Sequence, residues 1–161
     1  FTAFLKCSLF PEEIVVTRQG YTWGGDGGWW EIWKTNYFYF VYKNKMEEKV
    51  ADYVSNWFGD FDYKIVNATD EEQVMHFKRK YKNLDDYLAS PVIIKFYIVI
   101  DAHDEQIKTN ATAKAKSVDD EMNNQIEHSL RLFVFLCKDD NFDSLTDEQI
   151  KAFDTLNALW F

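Results

Sequence analysis

Val92-Ile93-Ile94-Lys95-Phe96-Tyr97-Ile98-Val99-Ile100-Asp101 is a run of β-branched and aromatic residues interrupted by one lysine. A strand with only one wet face would alternate polar and apolar residues, and this one does not. The run therefore predicts a strand in the middle of a sheet, buried on both sides. Pro91 closes whatever precedes it.

Upstream, Thr69 and Glu72 have the spacing of a capping box and predict a short helix over residues 69–81, and Asn83 predicts another turn through Leu88. Between residues 46 and 58, Val50, Val54, Trp57 and Phe58 recur at i, i+4, i+7 and i+8. This predicts a helix packed on the sheet and ending before Gly59. Earlier still, residues 1–9 and 13–19 read as strands punctuated by Pro11. Residues 29–34 and 37–43 are rich in aromatics and separated by Thr35-Asn36, which predicts a hairpin preceded by the turn Gly24-Gly25-Asp26-Gly27-Gly28.

Downstream, residues 102–116 are polar and without period, and read as a loop or a frayed extension of the strand. Ser117 with Asp120 three residues on, and Asp119, Asp120 and Glu121 in a first turn that favours anions, predict a helix start. Its buried stripe would be Val118, Met122, Ile126, Leu130, Phe133 and Cys137. Thr146 with Gln149 caps a last helix with Ile150, Phe153, Leu156 and Trp160 facing inward. Strands early and helices late indicate an α+β fold. The expectation is a single globular domain over residues 1–161, with one antiparallel or mixed sheet of about five strands, helices packed on one face and two C-terminal helices.

Composition narrows the class. The chain has 161 residues, 47% of them hydrophobic, with only 2 Pro and 6 Gly, which excludes collagen-like and low-complexity chains. A chain of this mass should bury about 70% of its unfolded surface, enough for a real core. Apolar runs reach no more than six residues, as at 132–137, far short of the roughly 20 a membrane helix needs. The balance of 18 Lys plus Arg against 27 Asp plus Glu, net charge −9, disfavours duplex nucleic acid and anionic membranes and suits a basic protein partner, although solubility alone also accounts for it. Cys7 and Cys137 are too few for a disulfide framework, leaving one bridge or two thiols. The sequons Asn67-Ala68-Thr69 and Asn110-Ala111-Thr112 occur at about chance frequency and would matter in a secreted chain. Together with a first residue, Phe1, that is no initiator, they leave secretion open beside a cytoplasmic location.

Aromatic residues make up 18% of the chain, and four of its 6 Trp crowd residues 21–33 around the glycine turn. Alternation would put Trp29, Glu31 and Trp33 on one face of a strand and Trp30 and Ile32 on the other, so a one-sided sheet cannot bury them all. Trp23, Trp29 and Trp33, with Asp26 in the turn and Tyr37 beyond it, form the candidate binding surface. Such residues suit a protein interface, and equally a flat sugar ring.

Other constellations are weaker. Asp101 and His103 share a strand face and would support acid/base chemistry, but no third partner stands at readable spacing, and a solvated strand end explains them. Asp139, Asn141, Asp143 and Asp147 follow calcium-loop spacing at positions 1, 3, 5 and 9. Position 6 is Ser144 where glycine is needed, position 8 is Thr146 where an aliphatic stands, and position 12 is Ile150 where the bidentate Glu belongs. Lys78-Arg79-Lys80-Tyr81-Lys82 interleaves cations with an aromatic ring, as single-strand binders do, yet also simply complements a helix C-terminus. The sequence thus assigns no catalytic residue, metal or cofactor. It points to a non-enzymatic protein-binding domain of inhibitor, immunity or adaptor type. The alternatives are a small-ligand or carbohydrate module using the Trp-rich turn and, behind it, a hydrolase centred on Asp101 and His103.

Overall fold

The computed structural model describes residues 1–9, 11–23, 28–75, 80–138, 141–153 and 159–160. Its class is α+β, but the strands form two sheets where one was expected. The first is the antiparallel sheet β1 (Thr2–Lys6), β2 (Glu13–Trp23) and β3 (Gly28–Thr35), in that order. After it come α1 (Tyr37–Phe58), β4 (Tyr63–Asn67), α2 (Leu84–Leu88), β5 (Ile94–Asp101), α3 (Glu105–Gln125), β6 (Leu130–Cys137), α4 (Asp147–Lys151) and the two-residue β7 (Leu159–Trp160). The second sheet runs β4-β5-β6-β7 and is mixed, with β5 and β6 parallel and the other pairs antiparallel.

β5 is central, as its composition requires. Ile94, Phe96, Ile98 and Ile100 face one layer with Leu130, Leu132 and Val134 of β6, covered by α1, α2 and α3. Tyr97 and Val99, with Phe133, Phe135 and Cys137, face a second layer closed by Phe142 and by Ile150 of α4. Helices therefore cover both faces of this sheet, which corrects the one-sided expectation. Cys7 packs against the first layer and Cys137 lies in the second, and the two form no disulfide with each other.

Two aromatic-rich segments change type. Residues 37–43, expected as a strand, begin the 22-residue α1. Their aromatic density mimics a strand, but the buried positions Tyr39, Tyr42, Met46, Val50, Val54 and Trp57 keep three- and four-residue steps, so one continuous stripe faces the core. Residues 130–137, expected as the end of a helical stripe, form β6. Their unbroken apolar run is what a strand buried on both faces looks like, and parallel pairing to β5 supplies that burial. Of the two expected C-terminal helices, the first is helical over residues 117–125 as the end of α3, and the second is, among the described residues, the five-residue α4, whose Thr146–Gln149 capping box does form.

The polar segment 102–116, expected as a loop, lies mostly within α3. Asp104 starts that helix, its Oδ1 accepting from the amides of Gln106 at 2.6 Å and Ile107 at 3.2 Å. Ser117 sits mid-helix, its hydroxyl donating to the Lys114 carbonyl. Ala111, Ala115 and Val118 are the buried stripe, small enough for close approach to β5. The 69–81 region carries a short 3-10 helix, Glu71–Val74, and Asn83 caps α2 through the Asp86 amide.

The two sheets are joined through α1. Ile14 is buried in the first layer and Val16 packs against it. Fully buried Asn36 holds the junction, its Oδ1 accepting from the Val15 amide at 2.8 Å. Its side chain is therefore spent on β2 and caps nothing in the helix.

Candidate functional site

Of the five residues singled out in the sequence, Asp26 lies outside the described residues. Trp23 and Trp29 lie on the backbone of the β2–β3 hairpin, opposite Gly28 and Thr22. β2 and β3 pair out to Trp23 opposite Gly28, whereas Thr35-Asn36, expected as the hairpin turn, leads from β3 into α1. Tyr37 opens α1, partly buried against the core, with its amide donating to Thr35 Oγ1 at 3.1 Å. Trp33 is the one with a described, exposed ring, at 49% accessibility.

The register explains that exposure. Val16 pairs with Ala3 and Thr35, and Arg18 pairs with Trp33, so Trp33 continues the face that Ile14 and Val16 turn to the core, past the reach of the helices. The Arg18 guanidinium lies over the Trp33 ring at 5.5 Å and pairs with Glu31, while Phe1 meets the ring edge-on at 6.5 Å. Along β1, Leu5 is 51% exposed on this face and Phe4 is 63% exposed on the other.

A second site escaped the sequence reading. A cleft of about 480 Å³ opens beside α1, where Tyr39, Lys43, Glu47 and Ala51 stand at steps of four and line one wall. Phe40, Ile65 of β4 and Phe96 of β5 supply apolar lining, and Glu12, Asn67 and Thr69 add polar groups from the facing elements. Asp147 and Lys151 reach it from α4. The polar groups interlock. Lys43 Nζ donates to Glu12 Oε1 at 3.0 Å, and Asn67 Nδ2 donates to Glu47 Oε1 at 3.2 Å. The Asn67 sequon is a local turn, with Asn67 Oδ1 accepting from the Thr69 amide at 3.1 Å and Thr69 Oγ1 bonded to the backbone of Lys95. Burial pushes the Tyr39 hydroxyl above its ordinary pKa, against hydrogen bonds from Thr69 and Asn67, so it stays a neutral donor. Reading residues 37–58 as one helix would have shown this wall, since Tyr39, Lys43, Glu47 and Ala51 then stand about one turn apart on one helix face.

The ion pair makes a pH prediction. The hydrogen bond from Lys43 holds the Glu12 carboxyl below its ordinary 4.5, and the reciprocal bond raises Lys43 above 10.5. Glu12 then contributes stability above about pH 4.5 that is lost as pH falls through its lower folded value, and Lys43 contributes below 10.5 and loses it above. Both side chains are 32% exposed, so the amount is under about 1 kcal/mol. Thermal melts of Glu12→Gln should differ from wild type near pH 7 and converge with it as pH falls through the lowered folded value of Glu12. A difference that does not change with pH refutes the pair.

The remaining constellations resolve locally. His103 Nδ1 lies 2.7 Å from Asp101 Oδ1, but the ring is half exposed at the surface end of β5, and the contact belongs to a local turn in which Asp101 Oδ1 also accepts from the His103 amide at 3.2 Å. Among the described residues, no group of three His, Cys, Asp or Glu is placed to hold a metal. In the calcium-like segment, Phe142–Ser144 form a 3-10 helix. Lys64 Nζ donates to the carbonyls of Phe142, Asp143 and Leu145 at 2.7, 2.8 and 3.2 Å, so these backbone oxygens already serve an ammonium. Asp139 lies outside the described residues, as do Lys78 and Arg79 of the basic cluster. Tyr81 of that cluster is buried, edge-on to Phe38 and Tyr87, and offers no face for stacking a base. Asn110 and Thr112 lie within α3, where Asn110 accepts from Gln106 and Thr112 donates to the Lys108 carbonyl. No helix among the described residues is long and apolar enough to cross a membrane. No family model, curated protein or solved structure matches this chain.

Proposed function

We propose that this chain is a non-enzymatic protein-binding domain, of inhibitor, immunity or adaptor type, that engages its partner through the β1-β2-β3 sheet. The supporting observation is the exposure of large apolar side chains on both faces of β1, Phe4 on one and Leu5 on the other, beside the half-exposed Trp33. Among the described residues β1 pairs only with β2. A ligand lying on one face would cover half of these side chains, whereas a strand added along the outer edge of β1 meets both sets. Edge strands are ordinarily blunted by charge or proline, and β1 carries only Lys6 at its end. Strand addition with side-chain pockets for specificity is an established mode of peptide recognition. The net charge of −9 favours a basic partner.

The edge can be tested atom by atom. Phe1 exchanges both backbone hydrogen bonds with Arg18, so by antiparallel alternation the amides of Thr2, Phe4 and Lys6 point away from β2. Phe4→Pro removes an outward donor without breaking a β1–β2 bond, and Phe4→Ala removes only the ring. Pull-downs from source lysate should recover a protein with wild type and Phe4→Ala more strongly than with Phe4→Pro. Trp33→Ala should weaken the interaction by about 2 kcal/mol, roughly thirtyfold, at unchanged melting temperature. The on-rate should fall as salt rises, since the attraction is screened within about 8 Å at physiological ionic strength. Full retention by folded Phe4→Pro and Trp33→Ala variants sinks the proposal.

A further inference from the structure

We infer that the cleft beside α1 is a second binding site, distinct from the β1 edge, for a neutral polyhydroxylated ligand of monosaccharide or disaccharide size. The cleft measures about 480 Å³, within the roughly 300–1,000 Å³ of small-molecule sites and many times the ~30 Å³ share of one water molecule. Its lining has the two halves a sugar needs. Ile65 and the 6% of Phe40 that stays exposed offer apolar surface for the C–H face of a ring, while Phe96, which also lines the cleft, is itself fully buried. Tyr39, Lys43 and Asn67 offer donors, while Glu12, Glu47 and Asp147 offer carboxylate oxygens that accept from neighbouring hydroxyls.

Charge selects among ligands. Three carboxylates and two ammonium groups line the cleft, a net charge of −1. An anionic ligand enters against that charge and against the −9 of the whole chain. A cation must compete with Lys43 for Glu12, which Lys43 already holds at 3.0 Å, and with the Asn67 amide for Glu47. A neutral polyol disturbs neither contact. A carboxylate has about four lone-pair sites, so Glu12 and Glu47 can accept further hydroxyl protons while keeping their present partners, and the Tyr39 hydroxyl can both donate and accept. Hydrogen bonds to charged groups are also the stronger kind, each about 1.5–3 kcal/mol net, which suits a ligand with little apolar surface.

The test is an NMR titration of the whole chain, following the Ala51 and Ile65 methyl groups. The probes are glucose, galactose, mannose, N-acetylglucosamine, maltose and lactose, with glucose 6-phosphate and putrescine in parallel as an anion and a cation. At least one neutral sugar should shift both methyls saturably. Because the Ala51 methyl is lost in the blocking variant, affinity there is read at Ile65. Ala51→Trp puts a large ring into the cleft from an exposed helix position and should weaken that sugar at least tenfold. Glu47→Gln keeps the shape, loses the charged acceptor, and should weaken it severalfold even if the tryptophan variant is unstable. The inference is overturned if no neutral sugar shifts these methyls, if only glucose 6-phosphate or putrescine does, or if both variants bind as wild type. Loss of binding in Trp33→Ala also overturns it, because the sugar would then lie on the aromatic sheet.

Discussion

Phe96→Ala should lower the unfolding free energy by about 3–5 kcal/mol, the usual cost of emptying a buried phenylalanine site. Phe96 is fully buried in the middle of β5, paired with Asn67 of β4 and Leu132 of β6, and it lies under α1 in the larger core layer. Neighbouring strands are hydrogen-bonded on both sides and cannot close on the void, so the cavity cost adds to the lost transfer energy. For a domain of this size each kcal/mol moves the melting temperature by about 2–4 °C, so a fall of roughly 10 °C is expected. Urea melts should show a lower midpoint at unchanged slope. Phe4→Ala, which removes an equal ring from an exposed strand, should change stability by less than about 0.5 kcal/mol. Equal losses for the two variants would contradict the assignment of core and surface.

Asn36→Ala should cost close to 3 kcal/mol, the upper end of what a buried, unpaired polar group costs. The side chain is fully buried and is the acceptor for the Val15 amide, while the Val15 carbonyl accepts from the Asn36 amide. Alanine leaves the β2 amide without its partner at the junction where β3 runs into α1. Hydrogen exchange separates this from a general loss of stability: the amide of Val15 and its β2 neighbours should lose more protection than those of β5. Asn36→Asp keeps an acceptor oxygen, although it buries a charge, and should retain more of the β2 protection than alanine does. Uniform loss across β2 and β5 would show that Asn36 is merely one more core residue. This variant also bears on function, because loosening β2 from α1 moves the edge strand that the binding proposal requires while leaving the second sheet intact.

Much of this architecture was legible in residues 50–58, 83–88, 92–101 and 146–149. Each carries a local signal strong enough to stand without tertiary help: a helical stripe ended at Gly59, an Asx cap at Asn83, a β-branched run and a capping box. Where local signals conflicted, packing decided. Residues 37–43 have the composition of a strand and the spacing of a helix, and the spacing prevailed because Tyr39, Tyr42 and Met46 bury together against the second sheet. Residues 130–137 fit a helical stripe or a doubly buried strand equally well. The empty edge of β5 resolved them as a strand, since parallel pairing satisfies eight residues of backbone and buries both faces at once.

The candidate sites divide along the same line. Sequence alone determined that aromatic rings exceed what one face of a small sheet can bury, because alternation is a property of the strand itself. It also determined the acidic balance and the absence of a recognisable catalytic spacing. Only the tertiary structure decided which rings stay outside: Trp33 is exposed because the helices cover the Ile14 and Val16 end of β2 and stop short of Arg18. The cleft is likewise a tertiary product. Glu12, Lys43, Asn67 and Lys151 are spread over 140 residues of chain, and no local pattern links groups that meet only when a strand, a helix and a loop close around the same space.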